Sequence, residues 1–321
     1  MSARALAFQV LGCGPVTDMA VRLSKDRMRV LAYHGIPDPT AFEDHLVEIS
    51  DRFTPVSGAQ VAAALSGRHR LPSRAIWLTF DDGFPEVETL GRPLLERFGI
   101  TATLFVCPGV IDTDEPYWWE VVREAARIGI TDESGSTVRG RLEYELKTVP
   151  DDRRRAVVAW LEEAIRAHQQ GPYRRSQMTS KQLLTWAEAG QEVGNHTWDH
   201  PLLDQCSEDE QEAQVRRADD WLRDALGSRR RFFAYPNGNW TAVSEGVLRE
   251  RDYDVALGFD HRLATADAQR LRISRLRLDS DAPLGRFRAV TSGIHTALLD
   301  FRSRVTNRER CPSDPRRLDW G

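Results

Sequence analysis

The sequence is poor in cysteine: Cys13, Cys107, Cys206 and Cys311 are scattered along it with no Cys-x-x-Cys pair. Neither a disulfide framework nor a thiolate zinc site is indicated, and reduced thiols in a cytoplasm are the expectation. No apolar run reaches the roughly 20 residues that would span a bilayer. The opening stretch, MSARALAFQVLGCG, is interrupted by Gln9 and is too short for a convincing secretory core, so it reads as an amphipathic lead-in helix, with export left open. Charge of one sign is not in excess either. Lys and Arg number 44 against 48 Asp and Glu, a formal net charge of -4, which offers no global attraction for nucleic acid or anionic lipid. Internal repeats and low-complexity blocks are missing, which excludes solenoids and propellers.

What is there is a chain of 321 residues, 41% hydrophobic and 29% charged, enough to bury a large core and too apolar for disorder throughout. Short apolar β-type runs recur at 28–33 (MRVLAY), 75–80 (AIWLTF), 101–107 (TATLFVC), 192–195 (EVGN), 231–235 (RFFAY), 254–259 (DVALGF) and 271–276 (LRISRL). Helical spacing of apolar residues marks 41–49, 59–65, 85–98, 153–168, 180–189, 208–226 and 243–251, with Ser207 and Glu210 as a capping-box start. Strands alternating with helices predict an α/β fold with a parallel sheet covered on both faces, either doubly wound or closed, and seven strands favour the barrel. The domain plan is then a lead-in segment 1–27, a catalytic barrel domain 28–302 and a polar, Arg-rich tail 303–321. An insertion over 111–178 covers one end of the sheet. Its Tyr117-Trp118-Trp119 run is read as packing ahead of a sugar-stacking platform, and a Gly/Ser/Thr-rich piece surrounds Ser134-Gly135-Ser136.

Unusual polar residues collect where the strands end. His34 follows VLAY, Asp81 and Asp82 follow AIWLTF, His196 follows EVGN, and Pro236-Asn237-Gly238 follows RFFAY. In a barrel, that end is where catalytic groups gather whatever the reaction. Taken alone, Asp81-Asp82-Gly83 is equally a turn, and His196 and His200 could be two surface histidines. Four apart on one helical turn, however, they would share a face as metal ligation requires. Two imidazoles and one carboxylate make the three-ligand set of a catalytic zinc site, leaving a second carboxylate to accept a proton from water. That combination indicates a hydrolase. Tyr235-Pro236-Asn237-Gly238 lacks the returning strand that an Asn-Gly hairpin needs, so a tight turn there could aim a backbone N–H at an oxyanion.

TFDDG, HTWDH and FAYPNG, in this order and spread through residues 28–279, resemble the first three motifs of the polysaccharide deacetylases, the NodB-homology group or carbohydrate esterase family four. The resemblance implies a distorted (β/α)7 TIM-like barrel and metal-dependent removal of acetyl from an N-acetylated sugar. It implies Asp81 as general base and Asp82, His196 and His200 as ligands of a divalent metal, usually Zn2+, with Co2+, Ni2+ or Mn2+ tolerated. Two departures stand out. The family's Arg before its Pro-Tyr-Gly is replaced by Phe232-Phe233-Ala234, and Arg275 resembles the arginine that substitutes for it in some members. The C-terminal Leu-x-Leu-His that supplies the general acid is missing, whereas LAYHG at 31–35 places His34 before the first motif, as in circularly permuted relatives.

The expected catalytic set is therefore Asp81, His34 and Arg275, with His295 as the competitor for the acid and Tyr235, Pro236 and Asn237 at the substrate and oxyanion. His45, His69, His168 and His261 receive no role. The expected partner is an N-acetylated carbohydrate, with no nucleic acid. The sugar, its chain length and the oligomeric state stay open. An O-acetyl esterase or cyclic amide hydrolase on the same scaffold, and a catalytically silent carbohydrate-binding barrel, are the alternatives.

Overall fold

The structure is a computed structural model that describes residues 14–131, 137–138, 141–227, 231–265 and 268–305. Residues 1–13 of the lead-in, Cys13 among them, Ser134-Gly135-Ser136, Cys311 and the tail from 306 onward lie outside the described residues. Cys107 and Cys206 are free thiols. Among the described residues no helix is long and apolar enough to cross a membrane.

Among the described residues eight strands form one sheet: β1 (Arg29–Tyr33), β2 (Thr54–Pro55), β3 (Ala75–Phe80), β4 (Ala102–Val106), β5 (Glu192–Asn195), β6 (Phe232–Ala234), β7 (Val255–Leu257) and β8 (Leu276–Arg277). The main path runs β7-β6-β5-β4-β3-β1-β8, every pairing is parallel, and the short β2 joins β3 on the side. β1, β3 and β4 are buried at every position, as the near-continuous apolar runs require for a parallel sheet covered on both faces. Six of the seven expected strands are present, and the seventh, 271–276, is reduced to a bridge at Ile273 and the two-residue β8 at its end. β2 is the addition, two residues too short to leave a pattern.

The last expected strand, 271–276, does two jobs. Its start pairs with β7, through the Leu257–Ile273 bridge and the Gly258 N–H donating to the Ile273 carbonyl at 2.8 Å. Its end becomes β8 and pairs with β1. The two edges of the curled sheet thus meet through one segment, which gives the distorted seven-stranded α/β barrel.

Side chains alternate between the faces of a strand. Val30, Trp77, Phe105, Phe232, Val255 and Ile273 fill the barrel interior, while Leu31, Ile76, Leu78, Leu104 and Val106 meet the helices outside. Continued upward, the inner positions run Val30, Ala32, His34 on one strand, Trp77, Thr79, Asp81 on its neighbour, and Ile273, Arg275, Arg277 on the closing segment. The inner face therefore changes from apolar to charged at the C-terminal mouth.

Local signals set the helices. Asp38 accepts from the Thr40 and Ala41 N–H groups to start Pro39–Arg52, and reciprocal capping boxes at Ser57/Gln60 and Thr179/Gln182 start Gly58–Leu65 and Ser180–Glu188. Ser207 caps Glu208–Leu226 as expected, but the reciprocal half is not made, because the Glu210 carboxylate accepts from Gln214 Nε2 at 2.9 Å instead. The single helix expected over 85–98 is a π-helical turn, Val87–Gly91, followed by Arg92–Arg97. Pro93 supplies no N–H and its ring crowds the preceding turn.

The insertion carries Trp118–Ile128, Arg141–Glu145 and Asp151–Gln169. Val121, Val122, Ala125, Leu146, Leu161 and Ile165 give it a small core of its own, separate from the barrel's. At the C-terminal side, Ile294–Val305 runs through residue 302, so the helix does not stop where the tail was expected to begin.

Candidate active site

Asp81 and Asp82 leave β3 in a turn in which Asp82 and Gly83 both have positive φ, 72° and 71°. Aspartate tolerates that region, and at Gly83 a Cβ would also press on Val106 Cγ1 at 3.0 Å. Tyr117 Oη, from the insertion, donates to the Asp82 carbonyl at 2.5 Å and ties the turn down. Asp81 turns inward, where Arg275 meets it with two parallel hydrogen bonds of 2.7 and 2.9 Å; the side chains are 1% and 0% exposed. Burial would raise the Asp81 carboxyl, but the Arg275 guanidinium and His196 outweigh it and hold it below the usual carboxylate range.

His196 and His200 do come together, with ring centroids 4.8 Å apart, though not on a helical turn as their spacing suggested. After β5 the chain bends through positive φ at Thr197 (71°) and at His200 (63°). Asn195 Oδ1 accepts the Thr197 N–H at 2.7 Å, Thr197 Oγ1 accepts the His200 N–H at 3.1 Å, and Gln214 Oε1 accepts from Trp198 and Asp199. Side chains here take the backbone bonds a helix would have used.

His196 Nδ1 lies 2.7 Å from the Ala234 carbonyl, so it carries the proton, and Nε2 presents its lone pair. That Nε2 and His200 Nε2 are each 3.5 Å from Asp82 Oδ1. Asp82 Oδ1 is buried and makes no hydrogen bond. One donor atom from each of the three residues lies within 4.8 Å of the others. Lone pairs converging on a point with no proton between them fit a cation. The charge states of Asp82 and His200 agree, whereas His196 is raised: burial would lower it, but the Asp81 and Asp82 carboxylates outweigh that burial. Burial opposes ionisation of Asp82, but His196, His34 and His200 overcome it and its carboxyl is held well below the usual range. Burial pushes His200 down to about 3, leaving a neutral imidazole as ligation requires.

These groups line a cavity of about 340 Å3. His34 stands on its wall, half-buried, its pKa pulled down by burial against the opposing pull of Asp82. His295 does not line the cavity and packs against His261, with ring centroids 6.0 Å apart. At the β6 turn, only Asn237 of the expected trio reaches the cavity, with φ 54°. Tyr235 is a correction: its hydroxyl donates to the Leu271 carbonyl at 3.1 Å, its N–H donates to the Leu257 carbonyl at 3.0 Å, and its ring lies in the core. Pro236 is buried and has no N–H to offer. The alternation rule accounts for this, since Tyr235 shares the outward face with Phe233.

Residues 68–256 match the family model described as polysaccharide deacetylase, more than half of the chain. The chain belongs to the polysaccharide deacetylase family. It is accordingly a carbohydrate deacetylase, a hydrolase. No curated protein matches it. Among solved structures it is similar to the Streptococcus pyogenes deacetylase PplD in complex with acetate (18% identity, 83% of this chain and 98% of that one, TM-score 0.58). It is similar also to IcaB from Ammonifex degensii (19%, 83% and 97%, 0.54) and to a de-N-acetylase from Aggregatibacter actinomycetemcomitans (15%, 83% and 100%, 0.58). At such identities what is shared is the fold. His34 and Arg275 of this deacetylase lie outside the matched residues, and the barrel's closure brings them to the site.

The insertion, expected over one end of the sheet, reaches the cavity with more than its aromatic run. Trp118, Trp119, Glu120, Arg123, Glu143 and Lys147 all line it. The Trp119 ring stacks on Tyr117 at 4.5 Å and presents an edge to His200 at 4.5 Å. The aromatic run was the available signal, and packing was only half of its meaning: Tyr117 packs and both tryptophans face the cavity.

Proposed function

We propose that this deacetylase removes the acetyl group from an N-acetylated sugar by attack of water on the acetyl carbonyl, with Asp82, His196 and His200 holding a divalent cation, of which zinc suits the donor set best. The observation that carries the reading is a buried carboxylate, Asp81, kept ionised by Arg275 directly beside those three converging donors. Such a cation, when bound, polarises a carbonyl and lowers the pKa of water.

Asp81 takes a proton from the attacking water as the new C–O bond forms. Arg275 keeps Asp81 in the charged form and fixes which way its oxygens face. The Asn237 N–H is the donor left in the β6 turn to receive the developing oxyanion. Amide cleavage then needs a proton on the departing nitrogen, and His34 delivers it as the C–N bond breaks, yielding acetate and a free amine. Burial disfavours the charged imidazole, so a proton on His34 is readily given up. Support for N- over O-deacetylation comes from this second proton donor, which an alkoxide leaving group needs less, and from the de-N-acetylase among the similar folds.

Acetate release from an N-acetylglucosamine oligomer, measured beside a matched O-acetylated sugar, tests the reading. The expected result is release from the N-acetyl substrate, lost on chelation and restored by zinc. Release from the ester alone overturns the amide assignment, and full turnover by chelated protein overturns the cation.

A further inference from the structure

The charges lining the cavity pair off. Arg275 holds Asp81, Arg175 lies 2.7 Å from Glu120 and 4.0 Å from Glu86, Arg123 and Lys147 lie 2.7 and 3.9 Å from the Glu143 carboxylate they share, and Arg286 lies 3.2 Å from Asp279. Asp82 faces the two histidines. Arg277 is left over: among the described residues no carboxylate comes within ion-pair distance of it and it makes no hydrogen bond.

Its position is set by the closing segment. Ile273, Arg275 and Arg277 occupy successive inner positions, so Arg277 sits one step above the arginine that holds Asp81. In the β1–β8 register it lies opposite Ala32, the inner position just below His34. It is half-buried in the cavity wall. A guanidinium that has given up part of its hydration and gained no counter-charge is a cost to the fold, and an anion arriving with the substrate removes it.

We propose that Arg277 docks an anionic group, a carboxylate or a phosphate, carried by the acetylated sugar, so that the preferred substrate is an acidic N-acetylated glycan. The inference rests on the deacetylase reading above. The guanidinium fork matches either oxyanion bidentately. Its place beside His34 puts that charge on the sugar bearing the acetamide or on the next one along. A neutral glycan filling the same cavity would desolvate Arg277 further with nothing in return, which is how such a site discriminates.

The test uses three oligosaccharides with equal N-acetylation, one neutral, one carrying a uronic carboxylate and one carrying a phosphate. Binding is measured calorimetrically in metal-loaded Asp81→Asn protein, where turnover does not interfere, and kcat/KM for acetate release is measured in the parent. We expect an affinity preference of about tenfold or more for an anionic glycan, the size of one hydrogen-bonded charge pair. The preference falls to about twofold or less when Arg277→Gln is added, and Arg277→Lys recovers part of it. Salt weakens the anionic glycan's affinity and leaves the neutral one's nearly unchanged, a readout that needs no variant at this position. The carboxylate and phosphate arms tell the two anions apart. Equal affinity for neutral and anionic glycans, or a preference that survives Arg277→Gln, overturns the proposal. An Arg277-dependent preference in binding without acetate release from any glycan overturns the deacetylase reading and leaves Arg277 standing.

Discussion

At the barrel mouth, the polar groups are gripped by elements far away in sequence: Asp81 by Arg275 across 194 positions, His196 by the Ala234 carbonyl, the Asp82 turn by the Tyr117 hydroxyl. Along the insertion wall, several charged pairs keep one partner in water, as where Arg123, 60% exposed, meets Glu143, or where Arg127, 68% exposed, meets Glu124. Magnitudes separate the two. Breaking a buried pair costs about 3–5 kcal/mol, whereas an exposed pair is worth about 0–1 kcal/mol. The mouth is thus held in one arrangement, while the wall can change its charges and shape with little penalty. Tyr117 is the exception, a wall residue that braces the mouth.

Substitutions should respect this division. Asp82→Ala and His196→Ala are expected to lose bound metal and activity together, down to background, as metal analysis beside acetate release would reveal. Retention of both by either variant would erase the distinction at its strongest point. Asp81→Asn should keep its metal yet lose about 10²- to 10⁴-fold in kcat, the range for a missing general base. His34→Ala should fall in the same range with His295→Ala near the parent, and the opposite ranking would move the acid to His295.

Arg275→Gln comes next. It leaves a buried carboxylate unpaired, so the chain should lose about 3–5 kcal/mol of stability in denaturant titration. The direction in pH follows from the depressed Asp81 pKa. In the parent, this carboxylate's contribution to stability is present above its unfolded pKa of about 3.9 and is lost as pH falls through the lower folded value. Without the guanidinium, the folded pKa rises, protonation sets in at higher pH, and the acid limb of kcat/KM moves up. A limb that stays in place means Arg275 does not set the charge state of Asp81.

The smallest effect belongs to the wall. Trp119→Ala should raise KM by about two- to tenfold with a smaller change in kcat, as expected for an aromatic contact of about 0.5–1.5 kcal/mol. If kcat instead collapses, the wall participates in the chemistry and the contrast fails.

The same division governs what could be read from the sequence. Strands and mouth residues were legible because a parallel strand writes its burial as an apolar run and a charged group then interrupts it at a fixed place, as AIWLTF does before Asp81 and Asp82. The spacing of His196 and His200 pointed to convergence but for the wrong reason, since the loop's bonds to Asn195 and Gln214 leave no periodic trace. Tyr235 was misplaced because the β6 turn was read as a unit, when strand alternation already turns its ring outward. The cavity face of the insertion was hidden because its helices bury a private core, and nothing in that periodicity says which remaining side looks onto the barrel.

One segment, 271–277, joins the two sheet edges, pairs Asp81 with Arg275 and places Arg277 at the rim. Contacts so distant along the chain form late, because their loop-closure entropy must be met first. A nascent polypeptide emerging from the ribosome would therefore expose Asp82, His196 and His200 well before Asp81 acquires its partner. Synthesis would have to pass this last strand before the guanidinium reaches Asp81 and the mouth is complete.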